Sequence, residues 1–203
     1  MSTVPNAPGP PWKDIYAQYE AVMAAQERRL VAITSALARA QVPYALVGGQ
    51  AVIQWISTID PDATRTTKDI DILLDRVDFP RAQRAASEAG FEFVDGPAGP
   101  QFLERVNPSP KRAVDIVWAN EPFRPEVAYL APTMHDVVVV PNGLAVVSLL
   151  ALVQMILEAW RRHDQVHLDD LLKVGLIDAS WCAWLPHELA ARLQLLIDTS
   201  DEA

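Results

Sequence analysis

Thr67-Lys68-Asp69-Ile70-Asp71-Ile72 is the stretch on which the fold turns. Read as part of a strand over Lys68 to Leu74, it places alternate side chains on one face. Asp69 and Asp71 then point the same way, with Thr67 beside them, their Cα atoms about 6–7 Å apart. Ile70 and Ile72 turn to the other face, into packing. Two carboxylates side by side repel each other and resist leaving water. A divalent cation removes both costs, and an all-oxygen donor set suits Mg2+ or Mn2+ better than zinc.

Ala113-Val114-Asp115-Ile116-Val117-Trp118 repeats the signature, with one Asp in an apolar, β-branched run. Strand propensity and burial both disfavour Asp there. On a strand beside the first pair, Asp115 completes a three-carboxylate site able to hold two metals, which clamp the attacking and leaving oxygens of an in-line phosphoryl displacement. Upstream, Tyr44-Ala45-Leu46-Val47 reads as a short buried strand that ends at Gly48-Gly49. A helix over Gln50 to Ile56 follows directly. Backbone N–H groups of such a turn, and the helix start behind it, cradle polyphosphate.

Working outward, apolar residues recur at helical spacing from Asp14 to Ala40 (Ile15, Tyr19, Val22, Leu30, Ile33, Leu37) until Val42-Pro43 breaks the pattern. The polar segment Ser57 to Thr66 is a loop. Phe79 to Ala89 is a helix stopped by Gly90, and Phe91 to Val94 a strand. Gly96 to Pro100 is a turn. Phe102–Val106 and Ala113–Trp118 are expected to pair as strands. After an irregular, proline-rich stretch beyond Asn120, Val137–Val140 is a short strand. Helices are expected over Leu144–Arg162, Asp164–Val174 and Pro186–Asp198. The reading is α/β (α+β): a small mixed sheet with helices packed on it, then a helical region. The expected divisions are a disordered arm at 1–11, a core at 12–141 and a helical C-terminal region at 143–199.

The chain has 203 residues, half of them hydrophobic, a net charge of −9 and a pI near 4.8. That suffices for one packed domain. The acidic balance disfavours broad nucleic-acid binding. There are only four lysines, so arginine supplies most of the positive charge. The single cysteine, Cys182, excludes an internal disulfide framework and fits a reducing, cytoplasmic setting. Its plainer role is a half-buried apolar residue. No secretory signal is read at the N-terminus. Gly143 to Leu157 is apolar but short for a bilayer, which needs about 20 residues, so it reads as a buried helix.

Leu46-Val47-Gly48-Gly49, Arg65-x-x-x-Asp69-Ile70-Asp71-Ile72 and Val114-Asp115-Ile116-Val117, in that order, resemble the nucleotidyltransferase superfamily (polymerase-β-like). The long glycine-to-aspartate spacing is most similar to the branch holding the AbiEii-type toxins and related bacterial nucleotidyltransferases. The resemblance covers roughly residues 44–175. It implies Asp69, Asp71 and Asp115 as metal ligands and catalytic residues, Gly48 and Gly49 at the β/γ-phosphates, and Asp115 near an acceptor hydroxyl. It also implies transfer of a nucleoside monophosphate from a nucleoside triphosphate to that hydroxyl, with release of pyrophosphate. The acceptor is left open: an antibiotic, a tRNA end, a protein side chain or a small metabolite. In Leu157-x-Ala159-x-Arg161-x-His163-Asp164, Ile156 and His163 occupy places where relatives often carry lysines. Arg65 and Arg161 then become the candidates for neutralising triphosphate, with Thr67 and His163 lining the same site.

Plainer readings stand beside these. Asp69 and Asp71 can be solvated strand-end carboxylates, Asp115 an edge-strand residue, Gly48-Gly49 a mere turn, and Arg65 an exposed loop residue. Arg161-Arg162 can be a solvated helix end. His163, His167 and Asp169 invite zinc, since the two histidines at i and i+4 share one helical face, but no further ligand set accompanies them. The six tryptophans read as packing. The alternative function is a catalytically weak or inactive protein of the same fold that binds a nucleotide or a partner, as in a toxin–antitoxin pair.

Overall fold

The computed structural model describes residues 12–97, 99–123 and 129–200; the arm expected at 1–11, position 98 of the turn and part of the irregular stretch beyond Asn120 lie outside them. Helix α1 (Trp12–Arg39) follows the three-and-four spacing of its apolar residues. It ends where Gln41 takes a left-handed φ of 53° and Pro43 follows. Strand β1 (Ala45–Val47) is buried at all three positions. It runs straight into helix α2 (Gly48–Ser57), which begins at the glycine pair itself rather than at Gln50.

Strand β2 (Ile70–Leu74) starts at Ile70, so Lys68 and Asp69 precede the ladder instead of lying in it. Helix α3 (Phe79–Glu88) opens with Pro80 in its first turn and closes before Gly90, which has φ of 92°. Strands β3 (Phe91–Gly96) and β4 (Gly99–Glu104) form a hairpin longer than the two runs expected, with β4 beginning at Gly99 rather than Phe102. Strand β5 (Val114–Trp118) pairs with β4 as expected.

The principal correction concerns Leu144–Arg162. Strand β6 (Val137–Val139) is followed by a second strand, β7 (Ala145–Val147), across the turn at 141–143. Helix α4 (Leu149–Ala159) begins only after Ser148, whose hydroxyl accepts from the Ala151 N–H at 3.3 Å as an N-cap. It stops at Trp160, left-handed with φ of 47°, and helix α5 (Arg162–Lys173) starts afresh. Helix α6 (His187–Ser200) is the last element among the described residues.

Among the described residues the sheet has seven strands in the order β3-β4-β5-β2-β1-β7-β6. β2 runs parallel to β5 and antiparallel to β1, and β1 is parallel to β7. β7 thus draws the C-terminal region into the sheet, and Trp55 of α2 secures it by donating to the Val147 carbonyl at 3.0 Å. One apolar cluster runs from Leu46, Ile72 and Leu73 of the sheet to Leu157, Leu168 and Leu189 of the last three helices. Among the described residues no helix is long and apolar enough to cross a membrane.

Candidate active site

The register of the central strands assembles the site. Asp71 on β2 lies directly opposite Asp115 on β5, and Val47, the last residue of β1, lies opposite Asp71 from the other side. In a pleated sheet laterally paired residues project to one face, so the two carboxylates stand side by side. Gly48 therefore abuts Asp71. A β-carbon on Gly48 would stand 2.8 Å from Asp71 Oδ2, and its φ of 57° is left-handed as well. Glycine is dictated there twice, by space and by backbone.

Asp69 is exposed, just ahead of β2, while Asp71 and Asp115 are half-buried. Burial pushes the Asp115 carboxyl above the usual carboxylate range. A hydrogen bond from Gln101 counters this, and the negative charge of Asp69 adds to the rise. Asp69 is thus near enough for Asp115 to feel it. Gln101 is buried on β4 opposite Asp115, and its Nε2 donates to Asp115 Oδ1 at 2.6 Å.

Among the described residues no group of three or more His, Cys, Asp or Glu side chains is gathered tightly enough to hold a metal ion. That statement covers His163, His167 and Asp169 as well as the aspartates. The donor chemistry at the sheet end still suits a hard divalent cation. Asp71 and Asp115 are paired in register, and burial and the Asp69 charge hinder the ionised form of Asp115.

The glycine turn forms the other wall. At Gly49 a β-carbon would meet Thr67 Oγ1 at 3.0 Å and His167 Nε2 at 3.4 Å. Val47, at the cap of α2, offers no side-chain hydrogen bond to the first amides. The loop carrying Thr67 is tied down at both sides. Tyr19 of α1 hydrogen-bonds Thr66 at 2.9 Å, and Arg65 Nε donates to the buried Asp170 of α5 at 2.8 Å.

The arginines expected at phosphate are otherwise engaged. Arg65 pairs with Asp170, and Arg161 grips Asp164 through Nε at 2.7 Å and Nη2 at 3.0 Å, closing a capping arrangement at the head of α5. His163 is exposed, with Nε2 3.4 Å from Asp164 Oδ1. Gly48, Asp71 and Asp115 are therefore brought together, and so are Gly49 and Thr67, whereas Arg65, Arg161 and His163 are turned to acids of α5. Sequence reasoning missed Gln101, Asp170 and the placement of His167. The Arg161-x-x-Asp164 spacing was a readable sign that this arginine has a local partner.

Two solved structures share the fold. The solution structure of the antibiotic-resistance factor ANT(2'')-Ia superposes with a TM-score of 0.54 at 14% identity, over 89% of this chain and 93% of that one. The crystal structure of ANT(2'')-Ia in complex with adenylyl-2''-tobramycin gives a TM-score of 0.53 at 13% identity, over 87% and 99%. No curated protein matches the chain. The profile of a family described as "Uncharacterised nucleotidyltransferase" matches residues 2–169; it carries the superfamily and not the AbiEii-type branch. With most of its length inside that match, the chain belongs to this nucleotidyltransferase family.

Proposed function

We propose that the chain moves a nucleoside monophosphate from a nucleoside triphosphate to an acceptor hydroxyl, with Asp69, Asp71 and Asp115 holding Mg2+ or Mn2+. The observation that carries this is the juxtaposition of Asp71 with Asp115 in register, with Gly48 pressed against Asp71. The acceptor oxygen forms a bond to the α-phosphorus, the bond to the bridging α–β oxygen breaks, and pyrophosphate leaves with that electron pair. The acceptor proton passes to Asp115, which the family resemblance sets beside the acceptor hydroxyl. The amides of Gly48 and Gly49 hold the β- and γ-phosphates at the start of α2. A bound divalent cation supplies neutralisation of the triphosphate charge.

The adenylyl-2''-tobramycin in the neighbour's complex makes small hydroxyl-bearing molecules the first acceptor class to try. The test uses the full chain with each of four α-labelled nucleoside triphosphates, Mg2+ or Mn2+, and a panel of such acceptors. Metal-dependent label transfer by the wild type and its loss in Asp71→Asn support the reading. Equal transfer by both proteins defeats it.

One observation favours a second reading, a nucleotide- or partner-binding protein without turnover. The lysine places hold Ile156 and His163, and both candidate arginines are paired with aspartates. Calorimetric binding of a triphosphate with no label transfer to any acceptor separates the two. Co-purification of one stoichiometric protein would point to a cognate partner.

A further inference from the structure

Gly49 differs from Gly48: its φ is not left-handed, and what an added β-carbon would meet is close crowding by its neighbours. That space is bounded by Thr67 Oγ1, by His167 Nε2 and by the first amides of α2. His167 reaches it from the middle of α5, half-buried. One turn to either side of it, Asp164 and Asp170 take up Arg161 and Arg65. Among the described residues no hydrogen bond holds the His167 ring; its recorded contact is an edge-on one with His163, at 6.3 Å between centroids. A half-buried imidazole with its nitrogen toward a phosphate-type turn, and no protein hydrogen bond to that nitrogen among the described residues, has that nitrogen available to a ligand.

We infer that His167 is a nucleotide-binding residue whose Nε2 donates a hydrogen bond to a non-bridging oxygen of the polyphosphate seated on Gly48-Gly49. The inference rests on the nucleotide reading above and extends it to a helix that the three aspartates do not involve. Its physical content is substitution. The charge that lysines would bring is absent, the arginines are committed, and α5 supplies a short, rigid donor instead of a long flexible cation. The contact is to the phosphates alone, so it serves every base equally and serves inorganic triphosphate as well.

Isothermal titration calorimetry of the full chain with Mg2+ tests it, using a nucleoside triphosphate and inorganic triphosphate as probes. His167→Phe keeps the ring and removes the nitrogens. It is expected to weaken both probes by a similar factor, about tenfold or more, the range of hydrogen bonds to charged groups. His167→Gln, whose amide can still donate, is expected to stay within about threefold of wild type, a loss below one ordinary hydrogen bond. A merely structural role would lower affinity in both variants alike. If His167→Phe fails to fold, His167→Ala replaces it. Wild-type binding that the folded Phe or Ala variant retains overturns this inference alone. Failure of the wild type to bind either probe overturns the nucleotide reading together with it.

Discussion

Gly48 is where two independent demands fall on one residue. Its φ of 57° costs an L-amino acid about 1–2 kcal/mol, and an added β-carbon would press on Asp71 Oδ2. Gly48→Ala is therefore expected to lose about 1–2 kcal/mol in urea unfolding. It is also expected to lose about a hundredfold in metal-dependent label transfer, the scale of a 1 Å displacement at a reacting centre. An Ala variant with wild-type transfer would show that Asp71 need not be held there. His167 makes a pH statement at the same scale. Burial lowers its pKa, partly offset by Asp164 and Asp170, while His163 and Arg161 lower it further. Just below the ordinary imidazole value of about 6.5, the unfolded chain takes up a proton that the native ring resists. Stability therefore falls as pH drops through that window. His167→Gln should flatten the difference between urea midpoints at pH 7.5 and 5.5, and an unchanged difference would refute the assignment. The aspartates and the glycine pair were legible in the sequence because carboxylates and glycines are costly on or beside buried strands and stand out there. Gln101 was not, because its importance lies in register across β4 and β5, which no local pattern records.

Among the elements, β2 and β5 declared themselves by alternation and by the Asp each carries in an apolar run. β7 did not. Leu144 to Leu157 is almost continuously apolar, and such a run reads equally as a buried strand or a buried helix. Ser148, inside the span expected to be helical throughout, is the cap that divides strand from helix. Loop length was equally hidden: the segment before β2 is ordered by Tyr19 and Asp170, both distant in sequence. The second of these ties is open to measurement. Arg65 is 58% exposed and Asp170 8%, so the two partners stand unequally. Arg65→Ala strands a buried carboxylate and should cost about 1–3 kcal/mol. Asp170→Ala strands only a solvated guanidinium and should cost less. The double variant should recover part of the loss, with a coupling of about 1 kcal/mol from a double-mutant cycle. Strict additivity would mean that the loop is not held to α5 through this pair.

At the scale of the whole molecule, a net charge of −9 is combined with three acidic residues at one end of a seven-stranded sheet. Such a site is built against the stability of the empty protein, since burial and the charge of Asp69 both disfavour the ionised form of Asp115. Gln101 offsets part of this; on the proposed function, cation and polyphosphate jointly supply the rest. Polyphosphate alone meets the carboxylates as a like charge, and a cation alone lacks half of its oxygen donors. Thermal unfolding should therefore respond little to Mg2+ or to nucleoside triphosphate added singly. With both present at about 100 times the dissociation constant, binding adds about 2.7 kcal/mol, and the midpoint of a domain this size should rise by about 5–10 °C. In Asp71→Asn the joint shift should disappear. A shift of equal size with nucleotide alone, or one that survives in Asp71→Asn, would mean that the polyphosphate binds by charge elsewhere on the molecule and that the end of the sheet is not its site.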